Sequence, residues 1–164
     1  MKFIYLTKGF KTSVDDSDYE WLSKFRWHVS IGQSGKPYAK RAKWDTNKKQ
    51  AISIRMHREI LGLNGTNLVD HIDGNPLNNC RENLRPATIK QNQQNRLSVN
   101  GSSSRFVGVS WDKEKKLWTA SINGRRLGRF RIEEDAAIVY DVASQLFYGI
   151  FGNLNFPIRS TESK

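Results

Sequence analysis

The stretch 98-SVNGSSS-104 constrains this chain more than any other. Its small, polar residues read as a flexible linker. The 164 residues therefore divide into 1–97 and 105–164, and each part must build its own small core. No run approaches the ~20 apolar residues of a membrane span. The apolar stretch of 1-MKFIYLTKGF-10 is too short for a signal peptide. A soluble, intracellular protein is expected. The single cysteine, Cys80, excludes an internal disulfide and a multi-cysteine zinc site. A net charge of +11 favours a polyanionic partner, most often nucleic acid. Charge alone does not separate DNA from RNA, or either from a merely basic soluble protein.

The part after the linker has the clearer pattern. The segments 106-FVGVSW-111, 117-LWTASIN-123 and 126-RLGRFR-131 read as strands, with 123-NG-124 a strong hairpin signal. The segment 133-EEDAAIVYDVASQLFYG-149 reads as a helix, with acids in its first turn and Gly149 at its end. Residues 105–131 carry a net charge of +6 and residues 132–149 a net of −4. Positive charge thus sits on the sheet and negative charge on the helix. The sheet is expected to meet nucleic acid, against the blander reading of a solvated basic face.

GVSW, LWTASI, LGRF, EEDAAIVYDVAS and 153-NLNFP-157 together resemble the APETALA2/ethylene-response-factor DNA-binding domain over roughly residues 105–157. The resemblance implies that the free face of the sheet enters the major groove. Trp118, Ala120 and Ile122 would then pack on the helix. Thr119, Ser121 and Asn123 would face DNA, with Ser110, Arg125, Arg126 and Arg129 nearby. The plant domains carry arginines at several positions where this chain has Thr, Ser or Asn, so their preferred DNA sequence does not carry over.

The first part reads as α+β. Strands are expected at 3-FIYL-6, 38-YAKRAKW-44 and 51-AISIRM-56, and helices at 15-DDSDYEWLSKF-25, with capping acids, and 57-HREILGL-63. Lys36, Lys40, Arg41, Lys43, Lys48 and Lys49 form a basic cluster. Further along, 69-VDHIDGNPLNN-79 leads to the strand 83-NLRPAT-88. A capping box, Thr88 with Gln91, then opens the helix 89-IKQNQQNR-96. Asp70 offers a hard carboxylate oxygen and Asn92 an amide oxygen, a pair suited to Mg²⁺ or Mn²⁺ with water and phosphate in the remaining positions. A neutral His71 would take a proton from water. Adjacent strand residues point to opposite faces, so Asp70 and His71 share a site only if the strand ends there. On composition alone 70-DHIDGN-75 is better read as a turn.

The segments 57-HREIL-61, 69-VDHIDGNPLNNCRENLRPAT-88 and 92-NQQN-95 resemble the HNH homing endonucleases of phages and mobile introns, over roughly residues 50–97. The resemblance implies a ββα-metal hairpin with His71 as general base, Asp70 and Asn92 as metal ligands, and Asn83 as the central asparagine that holds the histidine or the loop. His57 would support the hairpin. Asp73, Asn75, Asn78 and Asn79 would shape the loop. Arg85 and Arg96 are candidates for phosphate contact.

The expected whole is an α+β chain: an HNH region at 1–97, a linker at 98–104, a three-stranded antiparallel sheet on one helix at 105–157, and a tail at 158–164. It is expected to cut double-stranded DNA at specific sites with Mg²⁺ or Mn²⁺, nicking as a monomer without an obligatory protein partner. Bacterial or phage-infected cytoplasm is the expected setting. A DNA-binding regulator with a degenerate nuclease module, and an RNA-binding accessory protein, are the alternatives.

Overall fold

A computed structural model describes every residue except Gln33, Asn64, Thr66, 96–100 and 157–164. The chain divides into two compact units, Met1–Ile89 and the chain from Lys90 onward. Residues 98–100 of the expected linker, Arg96 and the tail lie outside the described residues. No helix among the described residues is long and apolar enough to cross a membrane.

In the first unit, β1 (Lys2–Tyr5) and β2 (Lys11–Val14) form an antiparallel pair. Ile4, Thr12 and Val14 are buried while Lys2, Phe3, Tyr5 and Lys11 are exposed. α1 (Asp16–Leu22) follows and ends on the fully buried Leu22. The acids at its start do more than favour a helix N-terminus. Asp15 makes no side-chain cap bond; its carboxylate accepts the backbone N–H of Arg81 instead. Asp18 is buried and pairs with the Arg81 guanidinium.

β3 (His28–Ile31), β4 (Pro37–Asp45) and β5 (Gln50–Arg55) form an antiparallel sheet in that order, followed by α2 (Met56–Ile60). Arg41, read from sequence as part of a basic DNA-facing cluster, is an interior strut. It is 8% exposed, pairs with Glu59 of α2, and lies 3.9 Å from the Phe25 ring centroid. Its charge links β4 to α2 and is not presented at the surface.

β6 (Leu68–His71) and β7 (Leu84–Ala87) pair antiparallel, with Asp70 opposite Arg85 and His71 opposite Leu84. Leu84 joins the cluster built around Val14, Leu22 and Met56, which anchors this hairpin in the unit's core. α3 (Ile89–Gln94) begins right after Thr88 and crosses the division between the units.

In the second unit, β8 (Val109–Asp112), β9 (Leu117–Ile122) and β10 (Arg125–Phe130) form an antiparallel sheet with β9 central. α4 (Glu133–Tyr148) covers one face. Its Ala136 and Ala137 meet Val109 and Ala120, so small side chains on both sides allow close packing. The end of the domain is clasped by polar groups. Asp141 accepts the backbone N–H groups of Asn155 and Phe156, and the Asn155 amide pairs with both backbone groups of Val107. This gives the YD and NF elements of the sequence a structural role.

Gly108 has φ +74°, and a Cβ there would stand 2.0 Å from the Tyr140 ring. Gly108→Ala is therefore expected to destabilise the second unit by at least ~3 kcal/mol, from backbone strain and overpacking together. Gly101→Ala, with φ +90° but open space, should cost nearer ~1 kcal/mol. Calorimetric unfolding of the two variants beside the parent checks the difference.

Candidate functional site

β6 ends at His71, where the N–H of Gly74 donates back to the His71 carbonyl at 2.8 Å. The pleat sends Asp70 and His71 to different neighbours. Asp70 is 3% exposed and lies across the strand pair from Arg85, whose Nε donates to its carboxylate at 2.7 Å. Arg85, expected to touch phosphate, here neutralises the carboxylate expected to hold metal.

The loop after His71 is built from side-chain-to-backbone hydrogen bonds. Asp73 accepts from the N–H of Asn75, and Asn75 from that of Leu77. Asn78 donates to the other Asp73 oxygen at 2.8 Å. Asn83 closes the loop: it accepts the N–H of Asp73 at 3.0 Å and donates to Asp73 Oδ1 and the Asn78 carbonyl, each at 2.9 Å. The backbone carbonyl of Asn83 also accepts the N–H of Ile72. Asn83 therefore fixes the two residues that follow His71, and these bonds place it on the loop.

Asn79 is the residue that reaches the imidazole. Thr12 donates its hydroxyl proton to the Leu77 carbonyl at 2.7 Å, so its oxygen accepts from Asn79 Nδ2 at 2.7 Å. That direction turns Asn79 Oδ1 toward His71 Nε2, 3.4 Å away. Nε2 then carries the proton and Nδ1 the lone pair. His57 closes the other side, with the two imidazole centroids 5.0 Å apart, edge to face. Burial pushes the His71 pKa below its ordinary value, opposed by Asn79, Asp73 and Asp70. Burial, then the neighbouring His71, lowers His57 to about 3. Both rings are neutral at pH 7.

The first two strands hold this loop from below. The N–H of Ser13 donates to the Leu77 carbonyl and that of Asn79 to the Ser13 carbonyl, each at 2.9 Å. The Arg81–Asp18 pair ties the end of the loop to α1. Sequence reasoning gave Asn79 a generic loop role and gave Thr12 none. Neither residue carries a sequence signal for its partner, because β2 and the loop are 67 residues apart.

Of the other expected ligands, Asn92 lies on α3, beyond the division between the units. Among the described residues no three His, Cys, Asp or Glu side chains gather to hold a metal. A three-ligand zinc site is thus absent from that set. Asp70 is a buried carboxylate already occupied by the Arg85 guanidinium, so a metal ion there would have to displace that cation.

In the second unit the pairing register sorts the expected DNA-facing residues. Trp118 and Ile122 belong to the helix-facing side, packing on the core. Ser110, Thr119 and Arg129 form one cross-strand row, and Ser121 pairs with Arg126, on the opposite face. A β-bulge between Arg126 and Gly128 makes this possible. Without the extra residue, Arg126 and Arg129 would point to opposite faces. Two expected residues stand elsewhere. Arg125 is opposite the helix-facing Ile122. Asn123 takes a left-handed turn conformation at φ 50° and accepts a hydrogen bond from Tyr148 at 2.5 Å.

A family model described as HNH endonuclease matches residues 65–94. Over 159 residues the chain is 33% identical to an uncharacterised HNH endonuclease of Acanthamoeba polyphaga mimivirus, covering 93% of this chain and 80% of that protein. Over 54 residues it is 43% identical to Protein 3.8 of Escherichia phage T7, covering 33% of this chain and 45% of that protein. The match therefore spans less than half of the phage protein's length.

The buried histidines fix the sign of the pH dependence. Their folded pKa values lie below the unfolded value of 6.5, so the unfolded state binds more protons. Their stabilisation is complete above pH ~6.5 and is lost as pH falls toward the folded values, by up to ~1.4 kcal/mol per pH unit for each ring. The first unit should therefore melt lower at pH ~5 than at pH ~7, a range in which ordinary carboxylates stay mostly ionised. His57→Gln should flatten that dependence, as read by thermal unfolding across the range; an unchanged slope would contradict the neutral assignment.

Proposed function

The chain belongs to the HNH endonuclease family, and we propose that it hydrolyses phosphodiester bonds of double-stranded DNA with His71 as general base. The observation that carries this reading is the Thr12–Asn79–His71 relay, which holds a buried, neutral imidazole with its lone pair on Nδ1. Nδ1 takes the proton of the attacking water as the water oxygen adds to phosphorus; the P–O bond to the leaving sugar oxygen breaks, and that oxygen takes a proton from solvent. Asn83 keeps the imidazole's own backbone segment in place by pinning Ile72 and Asp73. Asp70 and Asn92 are the residues that would hold one divalent cation, Mg²⁺ or Mn²⁺, in a ββα-metal arrangement. When bound, such a cation supplies charge neutralisation at the phosphate and the leaving oxygen. Arg85, released from Asp70, is within the same hairpin to contact phosphate.

The second unit is proposed as the reader of the DNA site, of the APETALA2/ethylene-response-factor type. Arg126, Arg129, Ser110, Thr119 and Ser121, which share one sheet face, support that part of the reading. Arg125 and Asn123, at the hairpin turn, and Arg96 are further candidates for DNA contact. A small nuclease module joined to a reader gains site choice through effective concentration, which fits the homing type. With one candidate metal site per chain, a monomer nicks one strand.

The Asp70–Arg85 ion pair favours a second reading, a DNA-binding regulator whose nuclease is silenced by an internal cation. Cleavage separates the two. The wild-type chain with Mg²⁺ or Mn²⁺ should convert supercoiled plasmid to nicked circles before linear product, and chelation should stop it. His71→Ala should lower the rate by ~10²-fold or more while leaving DNA binding intact. Binding without cleavage by the wild type, in either metal and on any duplex, supports the regulator.

A further inference from the structure

β3 pairs with β4 only from Pro37 to Lys40. Beyond that, Arg41–Asp45 and Gln50–Ile54 pair only with each other. They form a two-stranded ribbon that reaches roughly 15 Å past the sheet, at ~3.3 Å per residue. One face of it is nearly flat: Ala42, Ala51 and Ser53 are small and exposed. From that face rises Trp44, 63% exposed. Among the described residues its side chain makes no ring contact or hydrogen bond, so its large apolar surface contributes little to folding.

The tip carries Lys43, Lys48 and Lys49, all exposed. Its one acid, Asp45, is engaged within the turn, accepting the N–H groups of Asn47 and Lys48 at 3.0 Å each. That bond pair pre-forms the turn. At the base, Lys40 stands directly opposite Arg55, a like-charge placement that costs stability unless an anion lies nearby. Nothing in the fold requires an exposed indole between lysines at the end of a preorganised ribbon.

We propose that this ribbon is a DNA-contacting finger that enters the major groove, with the Trp44 ring against base edges and Lys43, Lys48 and Lys49 on the flanking phosphates. A major groove about 12 Å wide admits a two-stranded β-ribbon. The finger belongs to the first unit, so the nuclease hairpin carries a grip of its own, apart from the sheet of the second unit. The proposal rests on the reading of the chain as a DNA endonuclease.

The test uses the full chain and a ~30-base-pair random-sequence duplex in EDTA, with binding followed by fluorescence anisotropy across a salt series. The combined Lys43→Ala, Lys48→Ala and Lys49→Ala variant should lower the slope of log K against log salt by about 2 to 3, at ~0.9 per lost phosphate contact. Trp44→Ala should weaken binding by ~10-fold with the slope unchanged, while Trp44→Phe stays close to the parent, as expected for an apolar ring packed against base edges. All these positions are exposed, so circular dichroism melts should match the parent. A parent that nicks plasmid DNA, with the lysine and Trp44→Ala variants binding as the parent does, overturns the finger and leaves the nuclease reading standing. Equal losses in Trp44→Phe and Trp44→Ala overturn the role of the ring. A parent that neither binds nor cuts duplex DNA overturns both readings.

Discussion

Asn79, 1% exposed, joins the end of β6 to β2, which lies 67 residues away in sequence. Its amide takes its direction from Thr12 of β2, and its oxygen then faces the ring of His71. A buried amide turned the wrong way would set its oxygen against the Thr12 oxygen, an acceptor facing an acceptor, at a cost of about 1–3 kcal/mol. The hydroxyl of Thr12, itself committed to the Leu77 carbonyl, thereby sets the tautomer of a histidine at the end of another strand. β1, β2 and α1 look peripheral to the hairpin, yet they fix its chemistry: they hold the loop that holds the imidazole.

The charges around that imidazole follow a consistent logic. Both buried histidines stay neutral: at His71 desolvation outweighs Asp73 and Asp70, and at His57 desolvation is joined by His71, Arg55 and Arg58. The buried acids of the first unit are each matched to arginine, Asp70 to Arg85 and Asp18 to Arg81. An unmatched buried carboxylate would be strongly destabilising. A metal ion at Asp70 would therefore take the place of the Arg85 guanidinium. A chain with net charge +11 thus spends some arginines inside, Arg41 among them, and keeps its lysines mostly for the surface.

The parts of the fold with a clear local period were legible in the sequence. β9, β10 and α4 follow alternation, the Asn-Gly turn and the acid-rich helix start, and their bounds fall within a residue or two of the reading. β2 and β3 were missed because each has only four residues, too few to set a clear period. The loop asparagines were recognised as loop builders, and Asp73, Asn75 and Asn78 act so. Which asparagine would reach the histidine was not legible, since that depends on a strand 67 residues away. Arg41 and Arg85 misled for a related reason. A basic residue has the same local signature whether it faces solvent or an acid brought to it by folding.

The bulge in β10 bears on how such a domain can change over time. Side chains alternate along a strand, so one extra residue acts as a parity switch for everything beyond it. Arg126 and Arg129 are on one face although their separation of three positions is odd, because the bulge absorbs the difference. Substitution at any one position alters one contact, whereas gain or loss of one residue exchanges the outward set for the inward set. The length of this short strand is therefore constrained more tightly than its composition. Variants can explore new side chains on that face freely, but new lengths only in steps of two.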